Sequence, residues 1–265
     1  MPRTCRLEPA SLRRWHSALV VLALGVTTAA CGTGGGSAPS HHLSASASGH
    51  QTTTTSTTTT TTTTTTLPPT TTTAAIPAFA SSVAPVTAAE LGGTWHAGCP
   101  VGPSQLTTLT MTYWSFDNTA HTGTMVVNTA VVSSVITVFS TLYADRFPIA
   151  EMVPEAAYGG NDNDAAAADD TSGFNCRYAV APGPPQWSVH AYGEAIDVND
   201  VQNPYVDGST IIPPAGDAYL DRADVRPGMA VPGGVLVNAF TSVGWYWGGR
   251  WDPGTDYQHF SLNGH

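Results

Sequence analysis

The chain has 265 residues, 19 Asp plus Glu against 9 Lys plus Arg, and a formal net charge of −10. Every one of the nine cations is an arginine, and four of them (Arg3, Arg6, Arg13, Arg14) precede the first apolar run, so the remainder is more acidic still. Phosphate backbones and anionic lipid surfaces are bound by cationic patches, which argues against nucleic acid or a charged membrane face as partner.

Residues 1–30 read as an export signal: Arg13-Arg14 stand before the apolar stretch from Ala18 to Val26, which is short for a membrane span. Thr28-Ala-Ala-Cys31 resembles a bacterial lipobox, with Thr28 where that pattern usually has leucine. Cys31 is then the expected lipidation site, and the protein is expected outside the cytoplasm, tethered to the cell membrane and facing the wall. Residues 31–87 are rich in Gly, Ser, Ala, Pro and Thr, with an almost unbroken threonine run from Thr52 to Thr66. Such a stretch cannot form a core and reads as a disordered linker. At about 3 Å per residue, it could reach over 100 Å when extended.

The folded domain is expected over 88–265, and about 180 residues suffice for one core. Cys5 lies in the signal and Cys31 is the lipid site, leaving Cys99 and Cys176 to form a single disulfide in an oxidising compartment. Two cysteines without CxxC spacing do not make a structural zinc site. Gly123 to Asn128 reads as a strand. Val131, Val135, Phe139 and Leu142 recur at helical spacing and predict a helix over 129–145. Residues 159–170, rich in Gly, Asn, Asp and Ala, predict a loop. Glu194 to Val198 alternates like a half-buried strand, 235–244 predicts a second helix, and His259 to Leu262 a last strand. Mixed elements without a repeating βαβ unit predict a small single α+β domain, with monomer the default.

Ser188-Val-His190-Ala-Tyr-Gly193-Glu-Ala195-Ile-Asp197 places a histidine before a tight turn and a carboxylate on the next strand. Downstream, Asp256-Tyr-Gln-His259 adds a second histidine and a second carboxylate. Hydrolytic zinc takes three N/O protein ligands and leaves one position open, and two His with one Asp supply that set. The other carboxylate can then serve as general base.

SxHxxGxAxD followed by DxxHF resembles the zinc D-alanyl-D-alanine carboxypeptidase family, which includes VanY-type enzymes and L-alanyl-D-glutamate endopeptidases. Phe174 to Arg177, Gln202 to Tyr205, Pro227 to Met229 and Gly244 to Gly249 look familial too, so the resemblance covers roughly 90–263. It implies that His190, Asp197 and His259 bind zinc and that Asp256 is the general base. The aspartate, where several relatives have glutamate, looks more like the endopeptidase branch. Arg177 corresponds to an arginine that holds substrate or the oxyanion, and a surface ion pair is its alternative. Ser188 either contacts substrate or shapes the turn. The implied substrate is the peptide stem of peptidoglycan, and the implied fold a central antiparallel sheet carrying the zinc and flanked by helices, of the LAS/hedgehog type. A wall-binding module that kept the fold without turnover is the rival reading. His121 and His96 read as structural, Asn161 to Asp164 as a solvated loop, and Trp245, Trp247 and Trp251 as core or groove residues.

Overall fold

In the run Leu106-Thr-Thr-Leu-Thr-Met-Thr-Tyr-Trp-Ser115, apolar and hydroxyl side chains alternate over most of its length, and this run forms the longest strand among the described residues. The computed structural model describes residues 75–180 and 184–264; the expected signal sequence, Cys31 and most of the expected linker lie outside the described residues. Strand β1 (Ser81–Pro85) pairs antiparallel with β2 (Leu106–Ser115), β2 with β3 (Ala120–Asn128), and the end of β2 takes β4 (Pro148–Ile149) in parallel. β1 lies upstream of position 88, where composition alone set the start of the domain. Between β1 and β2, the short helix α1 (Ala88–Leu91) starts at a capping box in which Thr87 and Glu90 satisfy each other's backbone N–H.

Leu109, Met111 and Tyr113 of β2 and Met125 and Val127 of β3 face one side of this sheet, where α2 (Val132–Ala144) packs. The predicted helix over 129–145 is found as a 3-10 turn at Thr129–Val131 running into α2. The predicted loop at 159–170 differs: Asp162–Ala167 is a short helix, α3. Asn161 caps it by accepting from the Asn163 N–H, and three alanines with high helix propensity follow.

The second half of the chain contributes α4 (Val235–Ser242) and the short strands β5 (Ala195–Asp197), β6 (Tyr205–Asp207), β7 (Thr210–Ile212), β8 (Tyr246–Trp247), β9 (Thr255–Asp256) and β10 (His259–Ser261). They make two antiparallel three-stranded sheets, β5-β10-β8 and β7-β6-β9. The fold is thus α+β. The expected metal ligands sit on the small β5-β10-β8 sheet and the turn before it, apart from the larger sheet. Ile196 and Phe260, the residues beside the ligands in β5 and β10, point into the core, where the Phe260 ring stacks on Phe240 at 4.1 Å.

Cys99 and Cys176 are bonded, 77 residues apart in sequence, and close a second, smaller core around Leu91, Val126 and Phe174. Closing a loop of that length contributes about 4 kcal/mol in the chain-entropy picture. Arg222 ties together the segments around β6 and β9. Its guanidinium donates to the carbonyls of Gln202, Tyr219 and Ala230 and to Asn203 Oδ1, and lies 4.4 Å over the Tyr257 ring. Burial lowers its pKa to about 10.

Asp170 is fully buried; Oδ1 accepts from the Val153 N–H and Oδ2 has no hydrogen-bond partner. Burial pushes its carboxyl up to about 7, against the pull of the Val153 and Thr171 N–H groups and with a push from Glu155 and Glu151. An unfolded aspartate titrates near 4, so between about pH 4 and 7 the folded chain holds a proton that the unfolded chain releases, and stability falls as pH rises through that window. Asp170→Asn, which keeps the acceptor for Val153, is expected to raise the melting temperature at pH 8 and to leave it nearly unchanged at pH 5. Paired thermal melts at the two pH values check this.

Candidate metal centre

Each fixed residue of the first motif has a visible task. The Ser188 hydroxyl accepts from the His190 N–H at 3.3 Å and caps the 3-10 turn Val189–Tyr192. The turn ends at Gly193 with φ +68°, where a side chain is disfavoured, and an added Cβ would sit 2.6 Å from the Asn128 nitrogen. That nitrogen donates to the Gly193 carbonyl, fixing the turn against β3. Ala195 has no exposed surface, which favours a small side chain there.

The turn aims His190 inward. Its Nδ1 lies 2.7 Å from the Gly173 carbonyl oxygen, which can only accept, so Nδ1 carries a proton and Nε2 is the nitrogen turned toward Asp197 and His259. Asp197 and His259 stand directly opposite each other in the β5–β10 ladder. His190 Nε2 lies 3.1 Å from His259 Nδ1 and 3.1 Å from Asp197 Oδ2, and His259 Nδ1 lies 3.1 Å from Asp197 Oδ1. The three residues are only 3, 5 and 8% exposed (His190, His259, Asp197). Donors held about 2.1 Å from one tetrahedral centre lie about 3.4 Å apart, so the triangle fits a tetrahedral dication with small adjustment. Burial works against the Asp197 charge, but the charges of His190 and His259 and the hydrogen bonds they donate hold its carboxyl well below the usual range. Burial alone would lower His190; Asp197 more than offsets it.

Asp256 lies on β9, outside this triangle. The residue is half-buried, while its Oδ1 is fully enclosed without a hydrogen-bond partner. Burial pushes the carboxyl up to about 7, the Asp197 charge adds to this, and His259 and Arg177 oppose it. A carboxylate of that affinity can take and return a proton near neutrality. Arg177 is ion-paired with Asp162 at the start of α3, and the other Asp162 oxygen accepts from Asn175 Nδ2 at 2.6 Å. The ion pair expected as the alternative reading of Arg177 is therefore present, yet its charge is also felt at Asp197 and Asp256. Ser188 is engaged with the turn.

Several contributors carried no signal in the sequence. Gly173 orients His190 through its carbonyl alone. Glu155 is buried behind Asp197: Oε1 accepts from Ser172 Oγ at 3.0 Å, and Ser172 exchanges backbone hydrogen bonds with Asp197. Burial, with a push from Asp162, raises the Glu155 carboxyl to about 7. Of the three tryptophans, Trp245 and Trp247 are core residues at 2 and 4% exposure, while the half-buried Trp251 ring lies 5.1 Å from that of His259. His121 pairs with Asp117 at 2.8 Å on the exposed β2–β3 turn. His96 lies beside the disulfide, 3.8 Å from Cys176 Sγ, whose bond to Cys99 removes both sulfurs as metal ligands.

Gly248 allows the close approach that completes the site. A Cβ there would sit 2.7 Å from the Asp256 carbonyl oxygen, 3.1 Å from Asp256 Cβ and 3.2 Å from His259 Cβ. Gly248→Ala is expected to lower zinc affinity or activity about 10- to 100-fold, the range typical of residues that support metal ligands. Gly102→Ala, whose methyl meets nothing within 4 Å, is the control. Competition of each variant with a zinc-binding dye checks this.

Residues 182–262 match the model of the family described as D-alanyl-D-alanine carboxypeptidase. The matched segment contains all three ligand positions and Asp256, and it bears out the resemblance read from the two motifs. Arg177 lies just upstream of it. Neither the curated proteins nor the solved structures gave a match.

Proposed function

We propose that the chain, whose residues 182–262 match the D-alanyl-D-alanine carboxypeptidase family model, is a zinc metallopeptidase that hydrolyses peptidoglycan stem peptides at a terminal D-alanine. The convergence of His190 Nε2, His259 Nδ1 and the Asp197 carboxylate on one point, with the Asp256 carboxylate enclosed nearby, carries this reading. His190, Asp197 and His259 would hold zinc, which when bound polarises a carbonyl and lowers the pKa of water. Asp256 takes the proton of the attacking water and passes it to the departing amine. Arg177, kept cationic by Asp162, stabilises charge developing on the carbonyl oxygen. The export signal and Cys31 support action at the wall from a lipid anchor, through a linker long enough to reach into it.

The aspartate at position 256 favours one second reading, an endopeptidase that cuts between L-alanine and D-glutamate. A binding module without turnover fits less well, because an enclosed carboxylate without a partner costs stability and serves no evident binding purpose. The test is release of D-alanine from a stem pentapeptide by the chelator-stripped chain before and after zinc is restored. Release only with metal is expected; equal release in both states would contradict zinc dependence.

A further inference from the structure

The described residues contain five arginines, and the chain has no lysine to supplement them. Four are engaged. Arg146 lies 5.0 Å over the Trp114 ring, Arg177 pairs with Asp162, Arg222 is spent on carbonyls and Tyr257, and Arg226 pairs with Asp224 and covers Tyr219. Arg250 alone among these described arginines is exposed and makes no ion pair, hydrogen bond or ring contact.

Its position is specific. Arg250 ends the 3-10 turn Gly248–Arg250, whose first residue packs on Asp256 and His259. The next residue, Trp251, sets its half-buried ring beside that of the metal ligand His259. Arg250 is thus carried on a turn whose flanking residues, Gly248 and Trp251, both contact the centre. The nearest carboxylate in sequence, Asp252, is not ion-paired with it.

We propose that Arg250 binds the free C-terminal carboxylate of the substrate, with the Trp251 ring as the apolar wall beside the terminal methyl group. This rests on the peptidase reading and decides which bond is cut. An enzyme that removes a terminal residue must recognise a carboxylate one residue beyond the scissile carbonyl, and a guanidinium fork matches that group with two hydrogen bonds. An endopeptidase cutting inside the stem has no such requirement. In an acidic domain, this cation also provides local attraction for an anionic chain end.

The test is calorimetric binding to the full zinc-loaded chain carrying Asp256→Asn, which prevents turnover, using acyl-D-Ala-D-Ala and its C-terminal amide. The acid is expected to bind about 10- to 100-fold more tightly than the amide, as charge-assisted hydrogen bonds allow. Adding Arg250→Gln is expected to abolish that preference by weakening the acid alone, and Arg250→Lys to restore part of it. Equal binding of acid and amide by the parent, or unchanged acid binding in Arg250→Gln, overturns the proposal. The two readings fail separately. Carboxylate-selective binding in a chain that hydrolyses no stem would leave this subsite standing and remove the peptidase. Metal-dependent cleavage inside the stem, with acid and amide bound alike, would do the reverse.

Discussion

Asp256→Asn is expected to lower kcat on a stem peptide by about 10²- to 10⁴-fold with zinc still bound at one per chain. The carboxylate is not one of the three converging donors, so the amide leaves the ligand set intact. It nearly matches the shape of the aspartate beside Gly248, where an added methyl would already collide. What it removes is the oxygen that burial and the Asp197 charge have tuned to about 7, and with it the capacity to accept a proton. Because substrate contacts outside the base are unchanged, KM should move little. Steady-state kinetics together with the zinc content of the purified variant measure both quantities. A variant that loses its zinc and recovers full activity when metal is added back would show that Asp256 holds the metal and is not the base.

His190→Ala is expected to lose stoichiometric zinc and all metal-dependent activity. Two remaining donors cannot hold a hydrolytic zinc in place of three. The substitution also costs the metal-free fold. It leaves the Gly173 carbonyl without its donor and strips Asp197, buried at 8% exposure, of one of the two imidazoles that stabilise its charge. Breaking a buried pair in this way typically costs about 3 kcal/mol. Chemical denaturation with and without zinc separates the two effects. Zinc should raise the stability of the parent by about 4 kcal/mol when free metal exceeds Kd a thousandfold, and leave the variant unmoved. A variant stabilised by zinc as strongly as the parent would remove His190 from the ligand set.

The centre was more legible than the scaffold around it. The two motifs named His190, Asp197, His259 and Asp256 from spacing and resemblance, and the turn chemistry of Ser188 and Gly193 explains why that spacing works. The expected elements at 129–145, 194–198, 123–128, 235–244 and 259–262 fall within a few residues of α2, β5, β3, α4 and β10, the first two from helical spacing and alternation. The β2 strand went unread because a threonine-rich run looks like the threonine-rich stretch upstream, although Leu109, Met111 and Tyr113 alternate within it. The loop read over α3 went wrong because six of residues 159–170 are Asn or Asp, although Asn161 caps the helix and Asp162 is held by Asn175 and Arg177 from further along the chain. Glu155 and Gly173 could not be found at all. Their value to the site comes from a backbone carbonyl and a buried hydroxyl contact that only the tertiary fold creates.

Those contacts also position the centre. The Asp197 peptide is bonded on both sides to Ser172, the His190 ring to Gly173, and the Tyr257 ring is covered by Arg222. Ser172, Gly173 and Arg222 therefore hold Asp197, His190 and the residue next to Asp256 before any ligand arrives, the preorganisation that metal catalysis requires.

The most direct measurement is mass spectrometry of defined muropeptides incubated with the zinc-loaded chain, beside the Asp256→Asn variant. The account predicts loss of a single terminal D-alanine with the parent alone. A split between L-alanine and D-glutamate would keep the metallopeptidase and overturn the carboxypeptidase assignment, and no metal-dependent product from any stem would contradict the account as a whole.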